Sequence, residues 1–420
     1  MHLIYHNTCR VCHSSSLTKV IDLGDQYLQN VFTKVGMPKP PQRKIPLSLV
    51  FCNPTLDDKA CGLLQTALTV PPQILYSTYW YRSGTNQTMR DHLKVIVGEV
   101  VKMIGDRRRL VLDIGCNDGT LLSYYPKNFT KIGIDPSNAV LSIKGIKVIR
   151  DIFPSPELIK EMGANKFDAV TSIAMFYDAE DPIDFVKNIK RLLNKKGLWV
   201  FEVFYMPDML EKNAYDTICH EHLSYFSLSV LEYILRRGGM KIFKAERNNI
   251  NGGSIRCYAT HIDNFNFKKF ENTKYLQELR QEEFDLGLDN EIPYRQFQER
   301  IDKHKEELSS LLKNLKREGK RIHTYGASTK GNTLLQFCGI DNSIIDYAAD
   351  RNPEKDGAYT LGTNIPIVSE EKSRAMKPDY YLVLPWWFRD EFLKREQKAL
   401  KQGIGMIFPF PQIEVVKYGV

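Results

Sequence analysis

The chain has 420 residues, 43% of them hydrophobic and 26% charged, with a formal net charge of +8, which is too apolar for a disordered polymer and too long for one ordinary core. At about 150 residues per domain, two or three domains are expected. No stretch approaches the roughly 18 apolar residues of a membrane span, and Lys and Arg are dispersed without a basic run, so we expect neither a membrane nor a nucleic acid as partner.

The first residues, MHLIYHNTCR, lack the basic start and apolar run of a secretory signal, so a cytoplasmic protein is expected. In that compartment the 8 cysteines are metal ligands or buried thiols before they are disulfides. Residues 1–72 are short on helix pattern and rich in turns, with KVGMPKPPQRKIP as a proline-rich loop. Cys9 and Cys12 form a C-x2-C knuckle, and Cys52 and Cys61 follow as a second, wider pair. Four thiolates suit a tetrahedral zinc that staples a segment with a thin core, with His13 as a stand-in ligand and free thiols as the competing reading. No carboxylate or open position suggests a catalytic metal.

From 73 to 265 the pattern changes to apolar, β-rich runs (LVLDIG, KIGIDP, FDAVTSIAM, GLWVFEVFY) separated by helical stretches such as DFVKNIKRLLNKKG, which predicts a parallel, doubly wound sheet. VLDIGCNDGTLL is strand, glycine turn and helix, in which Gly115 and Gly119 let the backbone approach a ligand. Asp135, at the end of the next strand, is placed to accept hydrogen bonds from two ribose hydroxyls. The G-x3-G spacing with Asn117 and Asp118 inserted lacks the form that seats a pyrophosphate. Asp113 and Asp118 would repel phosphate and attract a cationic sulfonium, so the expected cofactor is S-adenosylmethionine. A nicotinamide site or a purely structural unit are the alternatives. Asp151 holds the adenine amino group or caps the helix that follows.

The densest polar cluster, YDTICHEHLSYFS, carries His220, Glu221, His222 and Tyr225 just after the strand GLWVFEVFY. Histidine takes a proton near neutral pH and an adjacent carboxylate can orient it, which suits enolate chemistry beside a ketone. A structural pair of histidines is the competing reading, and the spacing is not that of a metalloprotease. Residues 266–319 form a charged, amphipathic helical bridge. Residues 320–420 form a second, smaller α/β unit in which HTYGASTKGNTLLQF offers Ser328, Thr329 and Lys330 at a helix start to a diphosphate, or merely caps that helix.

The order of CRVC with IDLGDQYLQNVF, YWYRSGTNQTMRDHL, DIGCNDGT, YDTICHEHLSYFS, NGGSIRCYA and YGASTKGNTLLQ resembles the three-domain, zinc-containing sugar C-methyltransferases of deoxysugar pathways over nearly the whole chain. The resemblance implies an N-terminal zinc domain on Cys9, Cys12, Cys52 and Cys61, a central Rossmann-like methyltransferase domain and a C-terminal Rossmann-like α/β domain. It implies methylation at C3 of a nucleotide-linked 4-keto-6-deoxy sugar, with His222 as base, Glu221 and His220 beside it and Tyr81 near the sugar. By the same match Tyr79, Arg82, Cys219, Tyr225 and Asn251 belong to the substrate. Two departures stand out: Cys219 replaces a frequent tyrosine, and Phe176 and Tyr177 occupy a stretch that often holds a histidine, so a different sugar is expected. A nucleophilic Cys219 lacks any surrounding acyl-transfer logic. The nucleotide-linked keto-sugar is the partner expected, on a monomer or homodimer. The alternatives are an O- or N-methyltransferase and a non-catalytic zinc-containing binding protein.

Overall fold

A computed structural model describes residues 3–36, 43–76 and 79–418. The expected proline-rich loop lies outside these at 37–42, and its end, from Ile45, already belongs to a strand.

Among the described residues the N-terminal region is a β-structure and not the turn-rich segment expected. A four-stranded antiparallel sheet has the order Ser224–Tyr225, Leu64–Thr66, Ile45–Cys52 and Leu17–Gln26. The run IPLSLVFC supplies Leu47, Leu49 and Phe51, each at most 1% exposed, because it is covered on both faces. Phe51 packs on Tyr294 with ring centroids 4.8 Å apart, and a buried aromatic of this kind contributes roughly 1.5–3 kcal/mol. Tyr294 lies on the helix Ile292–Arg317, whose buried Tyr294, Phe297, Ile301, Leu308, Leu312 and Leu315 repeat at helical spacing. The expected helical bridge is thus two helices, Thr273–Asp285 and Ile292–Arg317, and the second has a core-facing stripe.

The central sheet has seven strands in the order Met240–Asn248, Ser254–His261, Leu193–Phe204, Phe167–Ile173, Leu110–Ile114, Thr130–Ile134 and Lys147–Ile149. The last five are parallel, as predicted. The first two form an antiparallel hairpin on the edge, which corrects the expectation of an all-parallel sheet. NGGSIRCYA tightens that hairpin: Asn251, Gly252 and Gly253 all have positive φ, and a Cβ on Gly253 would lie 2.5 Å from Asp208. Strand order reverses between Leu110–Ile114 and Phe167–Ile173, and a crevice opens at their carboxyl ends.

The C-terminal sheet runs Ile367–Ser369, Tyr347–Asp350, Ile322–Tyr325, Tyr380–Val383, Gly405–Phe408 and Glu414–Val416, parallel except for the last. Two pairings cross between the units. Ser224–Tyr225 adds to the N-terminal sheet through Tyr225 opposite Leu64, and Ala358–Thr360 pairs with Phe32–Lys34. Among the described residues no helix is long and apolar enough to cross a membrane.

Candidate functional site

The four Sγ atoms of Cys9, Cys12, Cys52 and Cys61 lie within 4.8 Å of one another, with Cys9 to Cys61 at 3.6 Å and Cys12 to Cys52 at 3.4 Å. A tetrahedral ion at about 2.3 Å from each sulfur places sulfurs roughly 3.8 Å apart, so the donor set fits zinc with little adjustment. The Val11 N–H donates to Cys9 Sγ at 3.4 Å, as backbone amides do toward thiolates in such knuckles. His13 belongs to no such cluster; it holds the positive-φ position that closes the knuckle, its N–H donating to the Cys9 carbonyl. The stand-in role expected of it is therefore corrected: it shapes the turn.

A cavity of about 510 Å³ opens at the switch point of the central sheet and takes walls from all three units. One end is the glycine turn. Gly115 has φ +72°, and a Cβ there would sit 2.9 Å from Met175. Asp135 accepts the N–H of Asn117 at 2.9 Å on one oxygen and that of Ser137 at 2.8 Å on the other, while lining the cavity. Its remaining lone pairs suit two vicinal hydroxyls. Asp113 accepts the Thr171 hydroxyl at 2.6 Å, and burial pushes its carboxyl up to about 7 against that bond. The turn carries carboxylates and no Lys or Arg, so its donor set fits a nucleoside with a cationic sulfonium and not a pyrophosphate. Asp118 does not take the part expected of it. One oxygen accepts the Gly84 N–H at 2.8 Å, and the other binds the Thr120 hydroxyl at 2.6 Å. Gly119, at φ +75°, starts the short helix Thr120–Ser123. Asp151 lines the cavity yet accepts the Ser155 hydroxyl at 2.6 Å, and Ser155 is the residue that caps Pro156–Met162.

The other end is built by the turn that follows Tyr215–Thr217. His222 Nδ1 is 2.7 Å from the Thr217 carbonyl, which can only accept, so Nδ1 carries the proton and Nε2 keeps its lone pair. Burial first, then the Lys330 charge, lowers the imidazole to about 3, so it stays neutral. Tyr177 and Phe204 wall the ring, with centroids 4.6 and 5.1 Å away. Glu221 is 5% exposed, Oε1 has no hydrogen-bond partner, and burial lifts its carboxyl to about 8. Asp178 is pushed up by burial and then by Glu221.

His220 is not with them. Its Nδ1 meets Gln29 Oε1 at 2.8 Å and its Nε2 the Pro46 carbonyl at 3.3 Å, both in the N-terminal unit. Burial lowers it to about 4. Its expected catalytic place is corrected to that of a tie between units. Tyr225, also assigned to the substrate, is buried beneath Phe204, ring centroids 5.1 Å apart. Arg82 turns from the cavity to the carbonyls of Tyr79 and Tyr81 and to Glu354. Tyr79 and the half-exposed Tyr81 do line it.

From the C-terminal unit come Ser328, Thr329, Lys330 and Trp387. Ser328 caps its helix by accepting the Gly331 N–H at 3.0 Å. Lys330 Nζ donates to the Asn251 carbonyl at 2.5 Å and to Thr217 Oγ1 at 3.1 Å, and lies 4.8 Å over Trp387. Its ammonium, expected to meet a diphosphate, is engaged in steadying the residue that holds His222. Sequence reasoning passed over Trp387, Thr217 and Glu202. Two adjacent tryptophans at a strand's carboxyl end were a usable signal for the first. A backbone carbonyl leaves none. Glu202 is held below the ordinary carboxylate range, against burial, by His92 at 2.6 Å and Arg256 at 3.0 Å.

Three family descriptions match in series: a zinc binding domain at 9–76, a methyltransferase domain at 84–245 and a C-methyltransferase C-terminal domain at 249–411. The C-methyltransferase NovU of Streptomyces niveus is 27% identical over 97% of this chain and 96% of its own. The tRNA U34 carboxymethyltransferase of Campylobacter jejuni subsp. doylei is 26% identical over 43% of this chain and 64% of its own. Among solved structures, the magnesium protoporphyrin IX methyltransferase of Synechocystis PCC 6803 covers 41% of this chain and 79% of its own, at 14% identity and a TM-score of 0.31.

Proposed function

We propose, for a chain that belongs to the zinc-containing, S-adenosylmethionine-dependent C-methyltransferases, that the methyl acceptor is C3 of a nucleotide-linked 4-keto-6-deoxy sugar. One observation carries this reading. A neutral imidazole with a bare, oriented Nε2 faces the same cavity as Asp135. Transfer to carbon beside a ketone requires a base to make the enolate, whereas transfer to a hydroxyl asks less of the protein.

S-Adenosylmethionine, when bound, supplies an electrophilic methyl group on a cationic sulfur. Asp135 holds the ribose and Gly115 admits the backbone close to it. His222 Nε2 takes the proton next to the ketone, and the Thr217 carbonyl keeps the imidazolium oriented and shares its charge. Glu221 lies beside it with a carboxyl that burial lifts to about 8, so near neutral pH it is a hydrogen-bond donor and not a charge. Tyr79, Tyr81 and Asn251 line the same cavity, as do Trp387 and Lys330, whose ammonium lies 4.8 Å over the Trp387 ring. His220 acts through the turn, by fixing where Glu221 and His222 emerge.

The residues at the C-terminal glycine turn face this cavity, which supports a place there for the nucleotide part of the substrate. The test is a panel of nucleotide-linked 4-keto sugars read by mass spectrometry for one added methyl, with NMR to place it. Methylation on oxygen, or of no keto-sugar, overturns the reading.

A further inference from the structure

We propose that Cys219, Glu221 and His222 form a second metal site, distinct from the four-cysteine cluster, that takes a borderline-soft divalent ion such as zinc or cobalt in a buried turn against the transfer cavity. The turn is tight, closed by the His222 N–H on the Cys219 carbonyl at 3.2 Å, and its three ligand atoms lie within 4.8 Å of one another. All three residues are buried, at 0%, 5% and 8% exposure.

Three features set the cluster apart from a chance grouping. Glu221 Oε1 is buried with no partner in the protein, a polar atom that lacks its counterpart. His222 is oriented through Nδ1 by a backbone carbonyl, the arrangement that aims the other ring nitrogen of a metal-binding histidine. A thiolate, a carboxylate and a neutral imidazole sum to two negative charges, which a divalent ion cancels in a dry pocket. Three protein ligands leave a fourth position, and it opens into the cavity lined by Glu221 and His222. Tetrahedral donors stand roughly 3.3–3.8 Å apart, so side-chain rotations of about 1 Å complete the site.

An ion here occupies Nε2. On the reading given above, it removes the base and arrests methyl transfer, so the cavity doubles as a metal-sensitive switch.

The test uses full-length protein already loaded with zinc at the four cysteines, titrated with cobalt. Wild type is expected to take up a second equivalent with a thiolate-to-cobalt charge-transfer band and to lose turnover in step. Cys219→Ser is expected to lose the band, and Glu221→Gln to bind cobalt at least tenfold more weakly, both retaining S-adenosylmethionine binding as evidence of folding. Absence of a second equivalent, or a band that survives in Cys219→Ser, overturns the site. Cobalt bound as expected with turnover intact supports the site and overturns only the reading of His222 as base.

Discussion

His222 donates from Nδ1 to the carbonyl of Thr217 at 2.7 Å, and the hydroxyl of that same threonine receives Lys330 Nζ at 3.1 Å. One residue thus ties the C-terminal unit to the tautomer of the imidazole. Asparagine can reproduce the donation but cannot accept a proton, which makes His222→Asn more informative than a truncation. Methyl transfer should fall by about 10²–10⁴-fold, while affinity for S-adenosylmethionine stays near wild type. With S-adenosylhomocysteine in place of the donor, wild type should exchange the hydrogen on the methyl-accepting carbon for deuterium from solvent and the variant should not. Equal exchange by both would assign the base elsewhere.

Asp135→Ala should weaken S-adenosylmethionine binding by at least tenfold, about 1.4 kcal/mol, measured by calorimetry. The carboxylate also braces the N–H groups of Asn117 and Ser137, so Asp135→Asn, which keeps an acceptor, should lose less. Affinity unchanged in the alanine variant would place the ribose at another residue.

Purified protein should hold one tightly bound zinc at Cys9, Cys12, Cys52 and Cys61. Because Tyr225 pairs with Leu64 and His220 leans on Gln29, losing that zinc should cost turnover as well as thermal stability. Cys12→Ser lets the two be compared: its turnover should drop several-fold more than its affinity for the methyl donor, whose ligands stand on the central sheet. A zinc-free variant with wild-type turnover would show that the staple does not reach the cavity.

Burial keeps Asp113 protonated to about pH 7, well above the ordinary 3.8. The folded state therefore binds more protons than the unfolded state between these values, and this group makes stability fall as pH rises from about 4 to about 7. The upper bound is on the order of 4 kcal/mol. Asp113→Asn, neutral at every pH, should flatten the ligand-free denaturation midpoint over that window. An unaltered slope would mean the carboxyl titrates normally.

The parallel core of the central sheet was legible because each strand is a short apolar run ending in a turn, and the five lie in chain order about a single switch point. The zinc ligands were legible because four thiols in so short a segment have few other uses. The N-terminal sheet was not, since IPLSLVFC is buried by a helix almost 250 residues away in sequence and the sheet's edge beside Leu64–Thr66 is completed by residues 224–225. Nor was the division of labour within His-Glu-His: three adjacent polar residues look equivalent in a sequence, and only the tight turn sends His220 outward to Gln29 and His222 inward. Asp118 shows the same limit, because a carboxylate in a glycine turn serves its own backbone or a ligand equally well on paper.

The strand Ser224–Tyr225, which completes the N-terminal sheet from within the methyltransferase unit, has a consequence for recombination. A chimaera that takes residues up to 72 from one relative and the remainder from another would mate Leu64 and Gln65 with a foreign edge and would seat His220 against a foreign Gln29. Substrate preference should therefore not travel with the methyltransferase unit alone. Productive crossovers should carry the first 72 residues and the 215–226 turn together, and relatives should exchange them as one inheritance.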